Sequence, residues 1–183
     1  MGLIAVLAGI AFGLALTLLT AFFATKDARF DRVAEWSFVA FAALAIPTIV
    51  TVAGRLPNGG PAAQVGTVVG VASVAVIGLG ELGSTLRLID FRRVAPLITV
   101  AFLGFLAWIG LTSALVISGG GLPANLGWLG LGTIVLGMTI VGWIVREPGV
   151  LRGDREPGRG QMAAFFVPMI GIVAWMAWLG LSL

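Results

Sequence analysis

Apolar residues fill six stretches of the chain, each about as long as a membrane-spanning helix, and short polar segments separate these stretches. A helix needs about 20 apolar residues to cross roughly 30 Å of hydrocarbon. The pattern therefore predicts an all-α, polytopic membrane bundle with six transmembrane helices. The predicted spans run from Gly2 to Ala24, Val33 to Ala53, Ala62 to Leu86, Val94 to Val116, Ala124 to Val145 and Met162 to Leu183.

The composition also indicates a membrane protein, because 59% of the 183 residues are hydrophobic and only 10% are charged. A soluble domain of this size could not hide so much apolar surface from water. The longest predicted connection runs from Arg146 to Gln161 and leaves no room for a soluble domain. Residues 1–183 are therefore expected to form a single transmembrane domain of a multi-pass protein in a cell membrane, with the lipid bilayer as a partner.

The basic residues fall almost entirely in alternate loops, which sets the expected orientation. Loops rich in Lys and Arg stay on the cytoplasmic side of a membrane, and only Arg55 lies in a loop of the other set. Both termini are therefore predicted to lie outside, in what is expected to be a bacterial plasma membrane. The predicted inner loops contain Lys26, Arg29, Arg32, Arg87, Arg92, Arg93, Arg146, Arg152, Arg155 and Arg159.

This sorting accounts for the basic character of the chain without a nucleic-acid partner. A surface that binds phosphates should gather its basic residues on one exposed face, with aromatic or polar side chains beside them. Here each inner loop mixes its arginines with acidic residues such as Asp31 and Asp90. We therefore expect no nucleic acid to bind.

Small residues recur at four-residue spacing in the first and third helices, which predicts close helix packing in lipid. Such a ladder can form a dimerisation face or can pack inside the bundle, and packing inside the bundle is the preferred interpretation for a chain with six helices. Trp108, near the middle of the fourth helix, is expected to face another helix. The ladder residues are Ala5, Gly9, Gly13 and Thr17 in the first helix and Gly66, Gly70 and Gly78 in the third.

Two inner loops share a short sequence match that raises the question of an internal repeat. The segment from Phe30 to Ala34 matches the segment from Phe91 to Ala95 at a separation of 61 residues, one third of the chain. A threefold duplication of helical hairpins would follow from such a match. The third hairpin lacks it, so the repeat stays an open question.

The residue types that are missing exclude much cofactor chemistry. The chain has no Cys, no His and no Tyr, so haem ligation by His or Cys, iron–sulfur clusters and the usual zinc sites are not available within it. Thiol redox chemistry and a Ser–His triad are excluded for the same reason. We expect no cofactor, no metal site and no catalytic residues, and therefore no enzymatic activity.

Glu81 is the one acidic residue well inside an apolar stretch. An ionised side chain in the bilayer costs several kcal/mol, so such residues usually pair with an opposite charge or belong to a transport pathway. At about 1.5 Å per residue, Glu81 lies roughly 9 Å deeper than Arg87. The preferred interpretation is an ion pair with Arg87, Arg92 or Arg93 that fixes the end of the third helix.

The alternative interpretation makes Glu81 a proton or cation site. Ser84 and Thr85 lie one helical turn away, and nearby glycines would let a neighbouring backbone or a solute approach. On this interpretation the candidate binding residues are Glu81, Ser84, Thr85 and Arg87. Glu35 needs no function, because it is expected near the start of the second helix beside Arg32, where a carboxylate is stabilised.

The stretch LPANLGWLGLGTIVLG, residues 122–137, resembles the entry into a late helix of small bacterial six-helix membrane proteins. The stretch covers roughly a tenth of the chain. The resemblance implies a six-helix membrane bundle, and these proteins have no assigned activity that could be carried over to this chain.

Two functions from different classes fit the sequence. The first is a non-catalytic accessory or assembly subunit that acts through helix packing, with other membrane subunits or a second copy of this chain as partner. It rests on the glycine-rich faces, the short loops and the scarcity of polar groups in the membrane. The alternative is a small transporter or channel that uses Glu81 as an intramembrane proton or cation site.

Overall fold

The computed structural model describes residues 1–56, 60–119, 121–146 and 159–183, which form α-helices and no strand. The predicted all-α membrane bundle is confirmed. Over their described residues, the first four helices are long and apolar enough to cross a membrane, and the last two contain shorter apolar stretches, Ala124–Thr139 and Val167–Ser182. The helices are α1 (Gly2–Thr25), α2 (Ala28–Gly54), α3 (Gly60–Thr85), α4 (Phe91–Gly119), α5 (Ala124–Arg146) and α6 (Arg159–Ser182).

Aspartate side chains fix the starts of α2 and α4. Asp27 Oδ1 accepts a hydrogen bond from the backbone N–H of Arg29 at 2.9 Å, and Asp90 Oδ1 accepts one from Arg92 at 3.0 Å. Each bond satisfies a backbone donor that the first helical turn leaves without a partner. As a result α2 begins at Ala28 instead of the predicted Val33. Hydropathy marks only the apolar part of a helix, whereas a capped polar turn continues the helix beyond the hydrocarbon.

The same caps bear on the suggested repeat. Phe30 is the third residue of α2, whereas Phe91 is the first residue of α4. The two matched segments therefore occupy different positions relative to the helix starts. The capping residues Asp27 and Asp90 do not align with each other in the 61-residue match. They align only after one segment is moved by two residues relative to the other.

The six helices form a closed ring in which each packs against its neighbours in the chain and α1 packs against α6. Neighbouring helices run antiparallel. At one end of the ring Gly2 of α1 approaches Gly180 of α6, and further along Gly13 faces Val173. The connections from α1 to α2 and from α3 to α4 therefore lie at the same end, together with the last residue of α5.

This end of the ring, here called the basic end, carries all the predicted inner-loop charges whose side chains are described. Arg152 and Arg155 lie outside the described residues. At the opposite end, Arg55 Nη2 donates a hydrogen bond to the carbonyl oxygen of Leu183 at 3.2 Å and connects the end of α2 to the end of α6. The basic end contains Lys26, Arg29, Arg32, Arg87, Arg92, Arg93 and Arg146.

Glycines of the predicted ladders contact neighbouring helices within the bundle. A Cβ atom at Gly9 would lie 3.2 Å from Met176 Cβ of α6, and one at Gly70 would lie 2.7 Å from Trp108 Cγ of α4. Gly66 likewise faces Leu111, and Gly78 faces Ala42. Close helix approach of this kind is how small residues stabilise bundles in lipid.

The first ladder changes character along α1. Ala5 is fully buried, whereas Thr17 is exposed and donates a hydrogen bond to the carbonyl oxygen of Gly13 at 2.9 Å. Of the two ladder residues nearer the basic end, Gly13 therefore still faces Val173 of α6, whereas Thr17 is exposed.

Five aromatic side chains from four helices fill the middle of the ring, and we call them the aromatic centre. They contact one another in sequence, with ring centroids 4.8 to 5.6 Å apart. Trp108 stacks on Phe105 and meets Trp175 edge to face, which confirms that it faces another helix. Trp175 Nε1 donates to the carbonyl oxygen of Leu126 at 3.1 Å. The aromatic centre consists of Phe12, Phe41, Phe105, Trp108 and Trp175.

Candidate functional site

Glu81 lies in the last two turns of α3 and is only 7% exposed. The face of α3 that carries it packs against α2, where Gly78, one turn before Glu81, meets Ala42. Gly80 next to it is covered by Ile98 of α4. Glu81 is therefore buried where α3 packs between α2 and α4, near the basic end of the ring.

Among the described residues, the charged neighbours of Glu81 are two acidic residues of α2, Glu35 and Asp31. They are four residues apart on a helix and so lie on one face. For Asp31 this proximity depends on the early start of α2 at Ala28, which extends the helix beyond the predicted start at Val33. Glu35 is consequently not a residue near a helix start, as the sequence predicts, but a half-buried residue in the third turn of α2.

Two hydroxyl groups of α3 lie at the site. Ser84 Oγ donates a hydrogen bond to Glu35 Oε1 at 3.3 Å. Thr85 Oγ1 donates to the backbone carbonyl of Glu81 at 2.7 Å. Both predicted hydroxyl residues are therefore at the site, but their hydroxyl groups bond to the Glu35 carboxylate and to the backbone, not to the carboxylate of Glu81.

The arginines that the sequence suggested as partners of Glu81 lie elsewhere at the basic end. Arg87, Arg92 and Arg93 are exposed, and among the described residues no ion pair joins any of them to Glu81. Arg87 lies away from Glu81 because the chain reverses its direction directly after α3. Arg87 adopts a left-handed conformation with φ of 56°, and the next N–H, that of Leu88, donates to the carbonyl oxygen of Gly83 at 2.9 Å.

This reversal is a Schellman motif, in which a left-handed residue ends a helix and the following amides satisfy its last carbonyl groups. The N–H of Arg87 donates to Ser84 O at 2.8 Å as the second bond of the motif. Arg87 is thus a helix-capping residue whose side chain is in solvent, and the motif leads the chain away from Glu81.

The glycines near Glu81 do not leave space for a solute. A Cβ atom would lie 2.6 Å from Ala42 Cβ at Gly78, 2.9 Å from Ile98 Cδ1 at Gly80 and 3.1 Å from Ile89 Cδ1 at Gly83. Neighbouring side chains therefore already occupy the volume that the missing glycine side chains release. The glycines allow close helix packing around Glu81.

A small cavity lies far from Glu81, between the ends of α2, α3 and α4 that are nearer Arg55. Its volume is about 10 Å³, room for about one water molecule. Two hydroxyl residues, Thr67 and Thr112, line it, and Trp108 closes it toward the aromatic centre. From Gly66 beside the cavity to Glu81 is 15 residues, or about 22 Å along the helix axis.

No group of three or more Asp, Glu, His or Cys residues is arranged to hold a metal ion in the part of the chain that the structure describes. Asp31, Glu35 and Glu81 are thus close enough to influence one another electrostatically, but they do not form a common ligand set. The arrangement instead resembles a buried carboxyl group with two half-buried carboxylates on its solvent side.

Comparison of the chain with known protein families, with curated proteins and with solved structures gives no match.

Sequence reasoning missed the contribution of Asp31 and Glu35 to the site. The available signal was Asp27, a good N-cap residue two positions before Arg29, which would have started the second helix earlier. With that start, the four-residue spacing of Asp31 and Glu35 places both on one helix face. That this face packs against α3 depends on the tertiary arrangement and has no local signal.

Proposed function

We propose that this protein is a small membrane transporter in which Glu81 binds the transported proton or cation. The observation that carries the proposal is the burial of Glu81 within a membrane-spanning helix, beside Glu35 and Asp31 and without an ion pair among the described residues. Ionisable residues enclosed in membrane helices are costly and mark ion pathways more often than structural contacts. The transporter proposal involves no catalytic step and no cofactor.

The aromatic centre favours a carrier over an open channel. Five large rings fill the middle of the ring of helices between Glu81 and the cavity near Trp108. A continuous water-filled pore would need this space. In a carrier, Glu81 exchanges its ligand with the basic end in the conformation described here, and the helices rearrange to open the other side.

The test is flux in proteoliposomes that contain only this protein. Movement of protons, Na⁺ and K⁺ would be followed with a pH-sensitive dye and with radioactive or fluorescent ion reporters. We expect flux of one of these ions in the wild type and its loss in Glu81→Gln, which keeps the shape of the side chain and removes its charge. Equal flux in the wild type and in Glu81→Gln would contradict the proposal.

Asp27→Asn provides the matched control. It removes one negative charge at the same end of the bundle, and asparagine caps a helix about as well as aspartate. Asp27 is exposed, so flux should be unchanged in this variant. A comparable loss in Asp27→Asn would assign the effect to the overall charge of the basic end and not to Glu81.

We place the protein in a bacterial plasma membrane with the basic end facing the cytoplasm and both termini outside. The distribution of arginines between the two ends supports this orientation. The chain has no cysteine, so single cysteines report their own accessibility. In intact cells an impermeant thiol reagent should label Gly54→Cys, at the Arg55 end, and should not label Ala28→Cys. The reverse pattern would contradict the orientation.

The accessory-subunit function stays as a second candidate, supported by the outer face of α5. Within the described part of the chain, no atom lies within 4 Å of the position that a Cβ would occupy at Gly132 or Gly142, and Trp128 and Val135 on the same face are largely exposed. Glycine inside a helix costs roughly 0.5–1 kcal/mol relative to alanine. Two glycines without close packing on one face favour contact with another helix, from a second subunit or a second copy of this chain.

Isolation from native membranes in mild detergent tests this second candidate. A stoichiometric partner or a dimer should copurify with the wild type, and Gly132→Leu should reduce its amount at least several-fold. Gly54→Leu is the control, because Gly54 also has open space around it but lies at the end of α2. A protein that stays monomeric both in mild detergent and in native nanodiscs would contradict the accessory function.

A further inference from the structure

We propose that the ligand of Glu81 is a proton, which the side chain binds as a neutral carboxylic acid, and not a metal or organic cation. This inference rests on the proposed transport function and names its substrate class. Four observations on the surroundings of Glu81 support it, and each concerns space, charge or hydrogen bonding at the contact of α2 with α3.

The first observation is the close packing of α3 on both sides of Glu81 along the helix. Ala42, Ile98 and Ile89 already occupy the volume next to the three glycines that surround Glu81 in sequence. A metal ion needs room for itself and for several ligands at 2.0–2.6 Å, and an organic cation needs more. A proton takes up almost no volume, so the packed helices need not move apart to bind it.

The second observation is the arrangement of the acidic groups. Asp31 and Glu35 are the charged groups that α2 presents to Glu81, and the described residues form no common ligand set for a metal ion. From α4 the side chain that covers this part of α3 is the apolar Ile98, while the arginines at the start of α4 are exposed. The neighbouring charges of Glu81 are therefore negative, and a proton would relieve this repulsion by neutralising the carboxylate.

The third observation is the division of hydrogen bonds between two glutamates. The Glu35 carboxylate accepts a hydrogen bond from Ser84 Oγ, and the Thr85 hydroxyl group donates to the backbone carbonyl of Glu81. Among the described residues the side chain of Glu81 accepts none. Among the described residues, no hydrogen-bond donor therefore stabilises the side chain of Glu81 as a carboxylate.

The fourth observation is the route to solvent. Glu35 and Asp31 are half-buried, and both lie on the side of Glu81 that faces the basic end. A proton that enters at this end meets these carboxylates before it reaches Glu81. Glu81 accepts the proton as a carboxylate and becomes a carboxylic acid, and it releases the same proton when the carboxylate forms again, so no other reactant is needed.

Infrared spectroscopy of the protein in liposomes tests the inference directly, because a protonated carboxyl group and a carboxylate have separate absorption bands. The chain has only eight acidic residues, so a difference spectrum between the wild type and Glu81→Gln isolates the band of Glu81. We expect a protonated carboxyl band that disappears as the pH is raised and returns when it is lowered. The band should be absent from Glu81→Gln, should persist in Glu35→Gln, and should move in frequency without loss in Glu81→Asp.

The competing ligands are tested on the same sample by adding Na⁺, K⁺, Mg²⁺ or Ca²⁺ in excess at fixed pH. Conversion of the protonated band into a carboxylate band by one of these ions would identify a metal-cation site and overturn the inference, while ion transport through Glu81 would remain. A carboxylate band at every pH at which the protein stays folded would also overturn it. Reversible protonation that no added metal ion affects would support it.

The infrared result does not depend on transport. A wild type that shows the protonated band but carries no ion in proteoliposomes would leave the proton site in place and contradict the proposed transport function. The opposite result would be ion flux that requires Glu81 and occurs only when Na⁺ or K⁺ is present, with the protonated band lost when that ion is added. This result would leave the transport function in place and contradict the proton inference.

Discussion

The aromatic centre and the basic end near Glu81 are built in opposite ways. In the aromatic centre, five rings from four helices contact one another, and the one indole N–H with a described bond donates to the carbonyl oxygen of Leu126. Near Glu81, a buried carboxyl group lies beside two other acidic groups, and no described basic side chain pairs with it. The aromatic centre stabilises the bundle through close packing of its rings, whereas the packing near Glu81 buries a carboxyl group at an energetic cost.

This difference is the reason for proposing that the basic end, and not the aromatic centre, carries the function. In lipid, helices associate through dispersion contacts and close packing, and the aromatic centre supplies such contacts where α1, α2, α4 and α6 meet. A buried carboxyl group without a compensating charge contributes nothing comparable and is retained where its charge is used. Substitutions in the two regions should therefore move stability in opposite directions.

The largest effect is expected in the aromatic centre. Phe105→Ala removes the ring that touches both Phe41 and Trp108, and should lower the free energy of unfolding by about 3–5 kcal/mol. Titration with SDS in mixed micelles measures this loss. Phe91→Ala, on an exposed ring at the start of α4, is the control and should change stability by less than about 0.5 kcal/mol. Equal effects of both variants would contradict the role of the aromatic centre.

A smaller loss should follow from adding one methyl group beside Trp108. The Cβ of Gly70→Ala would lie 2.7 Å from Trp108 Cγ and 3.2 Å from its Cβ, so the ring would have to move with its helix. We expect a loss of about 1–3 kcal/mol in the same unfolding titration. Gly132→Ala, on the open outer face of α5, should instead raise stability by about 0.5–1 kcal/mol. A neutral Gly70→Ala would contradict the tight contact.

At the basic end, in contrast, we expect a substitution to raise the free energy of unfolding. Glu81→Met replaces the buried carboxyl group with an apolar side chain of similar size, and should raise the free energy of unfolding by about 1–3 kcal/mol while abolishing transport. The control, Glu35→Gln, keeps an acceptor for Ser84 and should stay within about 0.5 kcal/mol of the wild type. A destabilised Glu81→Met would show that the carboxyl group is a structural contact.

The smallest effect concerns the end of α3. Arg87 adopts a left-handed conformation, which strains a residue with a Cβ atom but not glycine. Arg87→Gly should therefore raise the free energy of unfolding by about 0.5–1 kcal/mol, and with it the melting temperature. Arg93→Gly removes the same charge from the first turn of α4 and should lower stability by about 1 kcal/mol. If both variants shifted the melting temperature in the same direction, the charge and not the backbone would be responsible.

The helices and the separation of charge follow from the sequence because both depend on local composition. Apolar runs of sufficient length can satisfy their backbone groups in a membrane only as helices. For that reason the predicted spans and the observed helices agree closely except at the start of α2. The exception has a local cause as well, since the Asp27 cap extends the helix through residues that hydropathy alone assigns to a loop.

The part of the candidate site that lies on α3 could be predicted from the sequence, and the part on α2 could not. Glu81 stands out in the sequence as the one carboxyl group well inside an apolar stretch, and Ser84 and Thr85 lie near it because they are one turn away on the same helix. Its neighbours from α2 do not stand out, because Glu35 and Asp31 are 46 and 50 residues away along the chain. The contact between them requires the antiparallel packing of α2 on α3.

The sequence by itself thus determined the membrane-helical class, the number of apolar segments and the gathering of arginines in alternate loops, all of which depend on residue type and spacing along the chain. Only the tertiary structure decided that Glu81 lies beside two carboxylates and not beside Arg87, Arg92 or Arg93, and that α6 closes the ring against α1. The physical reason is that helix pairing in lipid depends on the fit of side chains into glycine-lined faces. That fit joins residues far apart in the chain and leaves no periodic pattern within one helix.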